Sequence, residues 1–317
     1  MKNLCRRGRV MASGRLIILL CMAAWLAACT HWPERRDGYR VDHRHQASAY
    51  GSRIYHVVLH YTSSEEPRAL RSLTGPEVSS HYLVPVPPRG ETRPVIYQMV
   101  PEHERAWHAG VSAWGSRSNI NDTSIGIEII NTGPRAVEDG VAWAPYPPEQ
   151  INAVIALVRD LVRRYDIDPI NIVAHSDVAP LRKVDPGPAF PWKVLYDAGL
   201  GIWPEERVVQ RYRDWFTLLP PTLRDVQEAL ATLGYPVRLT GEPDRQTCST
   251  VQAFQMRFRP TDYRGVPDAE TVAILWALLE RYRPALLPPL AEWETGGPPS
   301  WAGWNVTCPV LRDTGHG

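Results

Sequence analysis

The chain has 317 residues, 44% of them hydrophobic and 22% charged, with a formal net charge of +1. That length leaves room for two domains and tails at roughly 150 residues per domain. The near-neutral charge lacks the basic footprint of a nucleic-acid-binding protein, while thirty prolines and twelve tryptophans depart from an ordinary globular composition.

Lys2, Arg6, Arg7, Arg9 and Arg15 lead into an apolar run from Leu16 to Ala28, with no acid among them. A bilayer needs about 20 apolar residues, and this run is shorter. A basic start, a short apolar core and small residues at its end read as an export signal over residues 1–28. Leu26-Ala27-Ala28-Cys29 resembles a bacterial lipobox, which implies cleavage before Cys29 and a lipid anchor on its thiol. Thr30 in place of Asp after that Cys points, by the same likeness, to the outer membrane. Loss of the signal removes five positive charges and leaves 30 basic against 34 acidic residues, a mildly acidic chain. Cys5 and Cys21 leave with it, and Cys248 and Cys308 remain where disulfides are permitted, either bridged or as two thiols. Residues 29–52 are polar, with His31, His43 and His45 and no apolar period, and read as a tether.

A folded region starts at Arg53. Residues 55–61, 80–84, 95–100, 124–130 and 171–175 read as five strands from their β-branched and apolar content. Gly126 inside the fourth permits close backbone approach. After Pro147-Pro148, Ile151, Val154, Ile155, Val158, Leu161, Val162 and Tyr165 form a helical stripe with Arg159, Asp160, Arg163 and Arg164 opposite. Strands interleaved with helices predict an α/β domain over 53–205. A second unit over 220–283 shows three helical stretches, near 223–233, 247–258 and 269–282, with Gly234 ending the first. Residues 284–317 form a Pro/Gly-rich tail with Trp293, Trp301 and Trp304.

His60 closes the first strand, His175 closes the fifth, and Asp185 follows ten residues later in a proline-rich loop. Two imidazoles and a carboxylate suit Zn²⁺ with one position left for water. Spacing by itself is weak support, because His60 and His175 stand more than a hundred residues apart.

The stretches VVLHYT, SSHYLVP, AWHAG, NDTSIGIEI and NIVAHSDVAPLRKVDPGPAFPW, in this order over about residues 53–200, resemble the type 2 family of N-acetylmuramoyl-L-alanine amidases. The lipobox and the second unit extend the likeness to outer-membrane lipoprotein members. The resemblance implies the fold of peptidoglycan recognition proteins and T7 lysozyme, a mixed central sheet flanked by helices. It implies zinc on His60, His175 and Asp185, a catalytic carboxylate at Glu128 and a catalytic cation at Lys183. It implies hydrolysis of the amide between the lactyl group of N-acetylmuramic acid and L-alanine, in peptidoglycan or muropeptides, by a monomer anchored through Cys29. Tyr61, Thr62, His81, His108 and Asn121 are candidates for the substrate groove. His81 and His108 are equally open to structural roles, Asn121 also reads as a turn cap, and His56 reads as core. The second unit, with GYP, GEPDRQT, VQAFQMRF and GVPDAETVAIL, resembles a small peptidoglycan-binding module. It departs from that module in the charged stretch Arg257–Arg264, so a bracing role stands beside wall binding. Two rival functions share part of this pattern: a receptor that holds muropeptide uncut, and a zinc peptidase acting within the stem peptide.

Overall fold

In a computed structural model, which describes residues 33–138, 140–287, 304–305 and 308, the strands carrying His60 and Glu128 are neighbours in one five-stranded sheet. The expected signal 1–28, the lipid acceptor Cys29, and Trp293 and Trp301 lie outside the described residues. No helix among the described residues is long and apolar enough to cross a membrane.

The described residues before Ser52 form a separate unit. Part of the expected tether is a ribbon of two strands, β1 (Glu34–Arg36) and β2 (Tyr39–Val41), turned at Asp37-Gly38 with Gly38 at φ 77°. Asp-Gly between short strands is a strong hairpin signal, and the polar composition around it masks that signal in the sequence.

From Ser52 onward the elements follow the expected alternation, with several additions. β3 (His56–Tyr61) precedes a helix not expected from the sequence, α1 (Glu66–Leu73), and then β4 (Tyr82–Val84) and β5 (Tyr97–Gln98). A small ribbon of β6 (Ala113–Trp114) and β7 (Arg117–Ser118) leads to β8 (Ser124–Ile129). A second ribbon, β9 (Pro134–Val137) with β10 (Gly140–Trp143), precedes the expected long helix α2 (Pro148–Tyr165). β11 (Ile172–Ala174) runs straight into a one-turn helix, α3 (His175–Val178), and α4 (Trp192–Asp197) follows. His175 therefore opens a helix rather than closing a strand.

The sheet order is β11-β3-β8-β4-β5, with β5 antiparallel to β4 and the other neighbours parallel. Successive strand residues point to opposite faces. Val57, Leu59, Ile125, Ile127 and Ile129 thus pack with Ile151, Val154, Val158 and Leu161 of α2. His56, Val58 and His60 of β3, and Ser124, Gly126 and Glu128 of β8, alternate with that set and take the other face. Val58 and Val173 of this second face share a core with the C-terminal helices.

Those helices number four among the described residues: α5 (Glu206–Leu218), α6 (Leu223–Leu233), α7 (Arg245–Phe258) and α8 (Ala269–Tyr282). No element is expected from the sequence over residues 206–218, yet Val209, Tyr212 and Phe216 are buried, and Phe216 meets Trp276 of α8 at 5.3 Å between ring centroids. α6 and α7 repeat one device. Gln227 of α6 accepts Gly241 N–H at 2.7 Å and donates to Thr247 Oγ1 at 2.8 Å. Gln255 of α7 accepts Gly265 N–H at 2.7 Å and donates to Thr271 Oγ1 at 2.9 Å. Asp244 and Asp268 then cap α7 and α8 through the N–H of Thr247 and Thr271. Each buried amide therefore ties a helix to the loop that starts the next one. Cys248 and Cys308 form a disulfide, which settles the choice between bridge and thiols.

Arg257, at the start of the charged stretch 257–264, is buried. It is 2% exposed, donates to Asp177 Oδ2 at 2.6 Å and to the Ile172 carbonyl at 2.9 Å, and stacks 4.3 Å above the Trp192 ring. Asp177 also accepts Tyr235 O–H at 2.7 Å and Ala174 N–H at 2.9 Å. Gly234, at φ 133°, ends α6 where a Cβ would lie 2.6 Å from the Trp114 ring.

Candidate metal centre and active site

Three parallel strands bring their C-terminal ends to one edge of the sheet, the edge where α/β folds place ligands. β3 delivers His60, and β11 delivers His175 at the first residue of α3. His60 pairs in register with Glu128 on β8, so the two side chains stand side by side on one face. The Asp185 loop is drawn in by its own backbone: the Asp185 carbonyl accepts Ser176 N–H at 3.0 Å, and Tyr146 O–H donates to the Pro186 carbonyl at 2.8 Å.

His60 Nδ1 lies 2.9 Å from His175 Nδ1, and Asp185 Oδ2 lies 3.1 Å from each. All three residues are buried, and among the described residues they form the cluster able to hold a metal ion. A triangle of this size matches three donors sharing an ion at roughly 2.0–2.1 Å from each. Two nitrogens and a carboxylate oxygen are the donor set of a hydrolytic zinc site. Burial pushes His60 down to about 4, with the neighbouring His175 and Lys183 acting in the same direction and Asp185 against them. Burial alone would raise Asp185, but the two imidazoles hold it well below the usual carboxylate range. The centre therefore keeps a neutral His60 and an ionised Asp185, the forms that bind metal.

A cavity of about 250 Å³ opens onto these atoms, walled also by Tyr61, Trp107, His108, Asn121, Glu128 and Lys183. Lys183 is half-buried in irregular backbone rather than in an extended strand, yet it and Asp185 both reach the cavity. Glu128 is 6% exposed.

Two candidates for the groove lie elsewhere. His81 is fully buried, with Nε2 donating to the Glu104 carbonyl at 3.2 Å and Nδ1 accepting Gly126 N–H at 3.0 Å, so it ties loop to sheet. Thr62 is buried as well, donating to the Ser64 carbonyl at 2.7 Å and accepting Asn131 N–H at 3.3 Å. Asn121 touches the cavity, but its Oδ1 is taken by the N–H groups of His108 and Ala109 at 3.2 and 2.8 Å. His108 lies behind His60, with Nδ1 3.0 Å from His60 Nε2. Trp107 and Arg182 also line the cavity and escaped the sequence reading. Trp107 is half-exposed, a property that only the structure reveals.

His56 stays outside the centre, bonded to the Thr123 carbonyl and hydroxyl at 3.3 and 3.2 Å. Burial lowers it to about 4, against the Thr123 hydrogen bond. Its unfolded imidazole takes a proton near 6.5, so between pH 6.5 and 4 the unfolded state holds more protons and stability falls as pH falls. From pH 7 to 4.5 this one group is expected to remove about 2–3 kcal/mol. Urea unfolding of His56→Gln should show a correspondingly smaller acid loss than wild type; an equal loss would refute the assignment.

The family profile of N-acetylmuramoyl-L-alanine amidases matches residues 50–188, and that of a peptidoglycan binding domain matches residues 220–275. The N-acetylmuramoyl-L-alanine amidase AmiD of Escherichia coli (strain K12) is 46% identical over 257 residues, 79% of this chain and 92% of that protein. The chain belongs to the N-acetylmuramoyl-L-alanine amidase family. Among solved structures, the amidase resembles E. coli AmiD in complex with anhydro-N-acetylmuramic acid-L-Ala-D-gamma-Glu-L-Lys, at 48% identity and a TM-score of 0.73. That match covers 78% of this chain and 97% of the other. AmpDh3 from Pseudomonas aeruginosa, solved with anhydromuramic pentapeptide, matches at 43% identity and a TM-score of 0.70, over 76% and 98% of the two chains. The mixed central sheet flanked by helices, with a C-terminal helical domain, is thus the fold expected from the sequence.

Proposed function

We propose that this amidase cleaves the bond between the lactyl group of N-acetylmuramic acid and L-alanine, with zinc held by His60, His175 and Asp185. The convergence of two Nδ1 atoms and one carboxylate oxygen within 3.1 Å of one another, at the floor of a cavity, carries this reading. Zinc held by these three residues would supply a water acidified towards a pKa of ~7 and a Lewis acid for the scissile carbonyl. The Glu128 carboxylate, beside His60 in register, takes the proton of the attacking water and passes it to the departing alanine nitrogen. The Lys183 ammonium faces the same cavity and stabilises the oxyanion that develops on the carbonyl oxygen, an effect on the order of 3 kcal/mol for a well-placed donor. Trp107, half-exposed on the rim, offers a flat apolar surface to the sugar or peptide.

In this reading the enzyme sits on the outer membrane, facing the periplasm through a lipid on Cys29, which the basic start, short apolar run and Leu26-Ala27-Ala28-Cys29 support. Domain limits of 53–205 and 220–283 follow the motif boundaries, with 29–52 as the connection to the anchor. The C-terminal helices contribute mainly bracing, because Arg257 and Tyr235 are committed to Asp177.

Incubation of purified protein with anhydro and ordinary muropeptides, followed by mass spectrometry, tests the function. Free stem peptide and peptide-free sugar are the expected products, and His175→Ala should yield neither. Shortened stems would assign a peptidase instead, and zinc-loaded protein that releases nothing would assign a receptor.

A further inference from the structure

The segment Trp107–Val111 reaches the metal centre from outside the sheet and touches the far side of both histidines. We propose that this segment is a positioning strap that fixes His60 and His175 in the one tautomer able to present Nδ1 to a metal; the proposal rests on the zinc reading above.

The direction of every hydrogen bond follows from two carbonyl oxygens, which can only accept. The Ile120 carbonyl takes the Ser124 hydroxyl proton at 2.6 Å. The Ser124 oxygen, its proton spent, accepts His108 Nε2–H at 3.1 Å. His108 then carries its lone pair on Nδ1, which accepts His60 Nε2–H at 3.0 Å. His60 Nδ1 is left without a proton, aimed at His175 and Asp185. On the other side, the Ala109 carbonyl takes His175 Nε2–H at 3.2 Å, and His175 Nδ1 is likewise bare. Adjacent residues of one strap thus orient both imidazoles, as hydrogen-bond partners behind metal-ligating histidines do. The chain of donors ends on a carbonyl, so it locks a tautomer and moves no proton.

The strap is itself held. Asn121 Oδ1 takes the N–H groups of His108 and Ala109, and Arg182 donates to the carbonyls of Ala109 and Val111 at 2.9 and 2.7 Å. Gly126 leaves room for the His108 ring to lie on β8, where a Cβ would come within 2.4 Å of it. The glycine thus admits a side-chain ring, where the sequence suggested backbone.

The test uses full-length apoprotein titrated with Zn²⁺ against a chromophoric chelator. His108→Ala is expected to weaken zinc binding about 10–100-fold. His108→Asn, whose Oδ1 can stand in for Nδ1 as acceptor, should recover most of that loss. A merely structural role would lower the thermal midpoint of both variants and leave Kd unchanged, which would overturn the strap. Should His108→Ala not fold, Ser124→Ala carries the test, with weaker zinc binding and ring ¹⁵N shifts of mixed tautomers at His60; native Kd and shifts there would overturn it. Wild-type protein that fails to bind Zn²⁺ would reject the zinc reading itself, a result visible before any variant is made.

Discussion

Exchanging Glu128 for glutamine is expected to lower turnover of muropeptides by roughly 10²–10⁴-fold and to leave the zinc content unchanged. Glutamine keeps the volume and much of the hydrogen bonding of the carboxylate but cannot take a proton from water. Glu128 stands opposite His60 on the neighbouring strand and lines the cavity, outside the cluster formed by His60, His175 and Asp185. Loss of the base should therefore appear in kcat and spare the metal. Turnover from product chromatography and zinc from elemental analysis check both halves. A fall of less than tenfold would move the base elsewhere, and loss of zinc would make Glu128 a ligand.

The sheet and its site face were legible because alternation is a local signal. Ile125, Ile127 and Ile129 against Ser124, Gly126 and Glu128 name the buried and the chemical face of β8 from six residues. The stripe of α2 is equally local. What escaped depends on partners distant in sequence. Val209, Tyr212 and Phe216 give α5 only three buried positions among charged neighbours, and Trp276, which meets Phe216, lies sixty residues beyond it. His81 and Thr62 read as groove residues because they sit in motifs beside the site. Their side chains are consumed by backbone groups of Glu104, Gly126, Ser64 and Asn131, and no local pattern reveals those bonds. The metal cluster itself was only a plausible set by residue type, since the sheet order β11-β3-β8 is what brings residues 60 and 175 together.

Arg257 shows how far the C-terminal helices enter the catalytic half, and its removal is expected to be the most destabilising of the substitutions proposed. The side chains of Arg257 and Asp177 are 1% and 0% exposed. Arg257→Ala leaves the Asp177 carboxylate buried with its Tyr235 and Ala174 donors but no compensating charge. Breaking one side of such a pair costs about 3–5 kcal/mol, and the lost stacking on Trp192 and Phe258 adds to it. Arg257→Lys should recover only part, because an ammonium cannot serve Asp177 and the Ile172 carbonyl with one planar fork while stacking on an aromatic ring. Asp177 caps the helix whose first residue is His175, so the variant should also bind zinc more weakly wherever it remains folded. Urea unfolding of the apoprotein reads the first effect and chelator competition the second. A loss below about 1 kcal/mol, the range of surface pairs, would show that the helices rest against the catalytic half without bracing it.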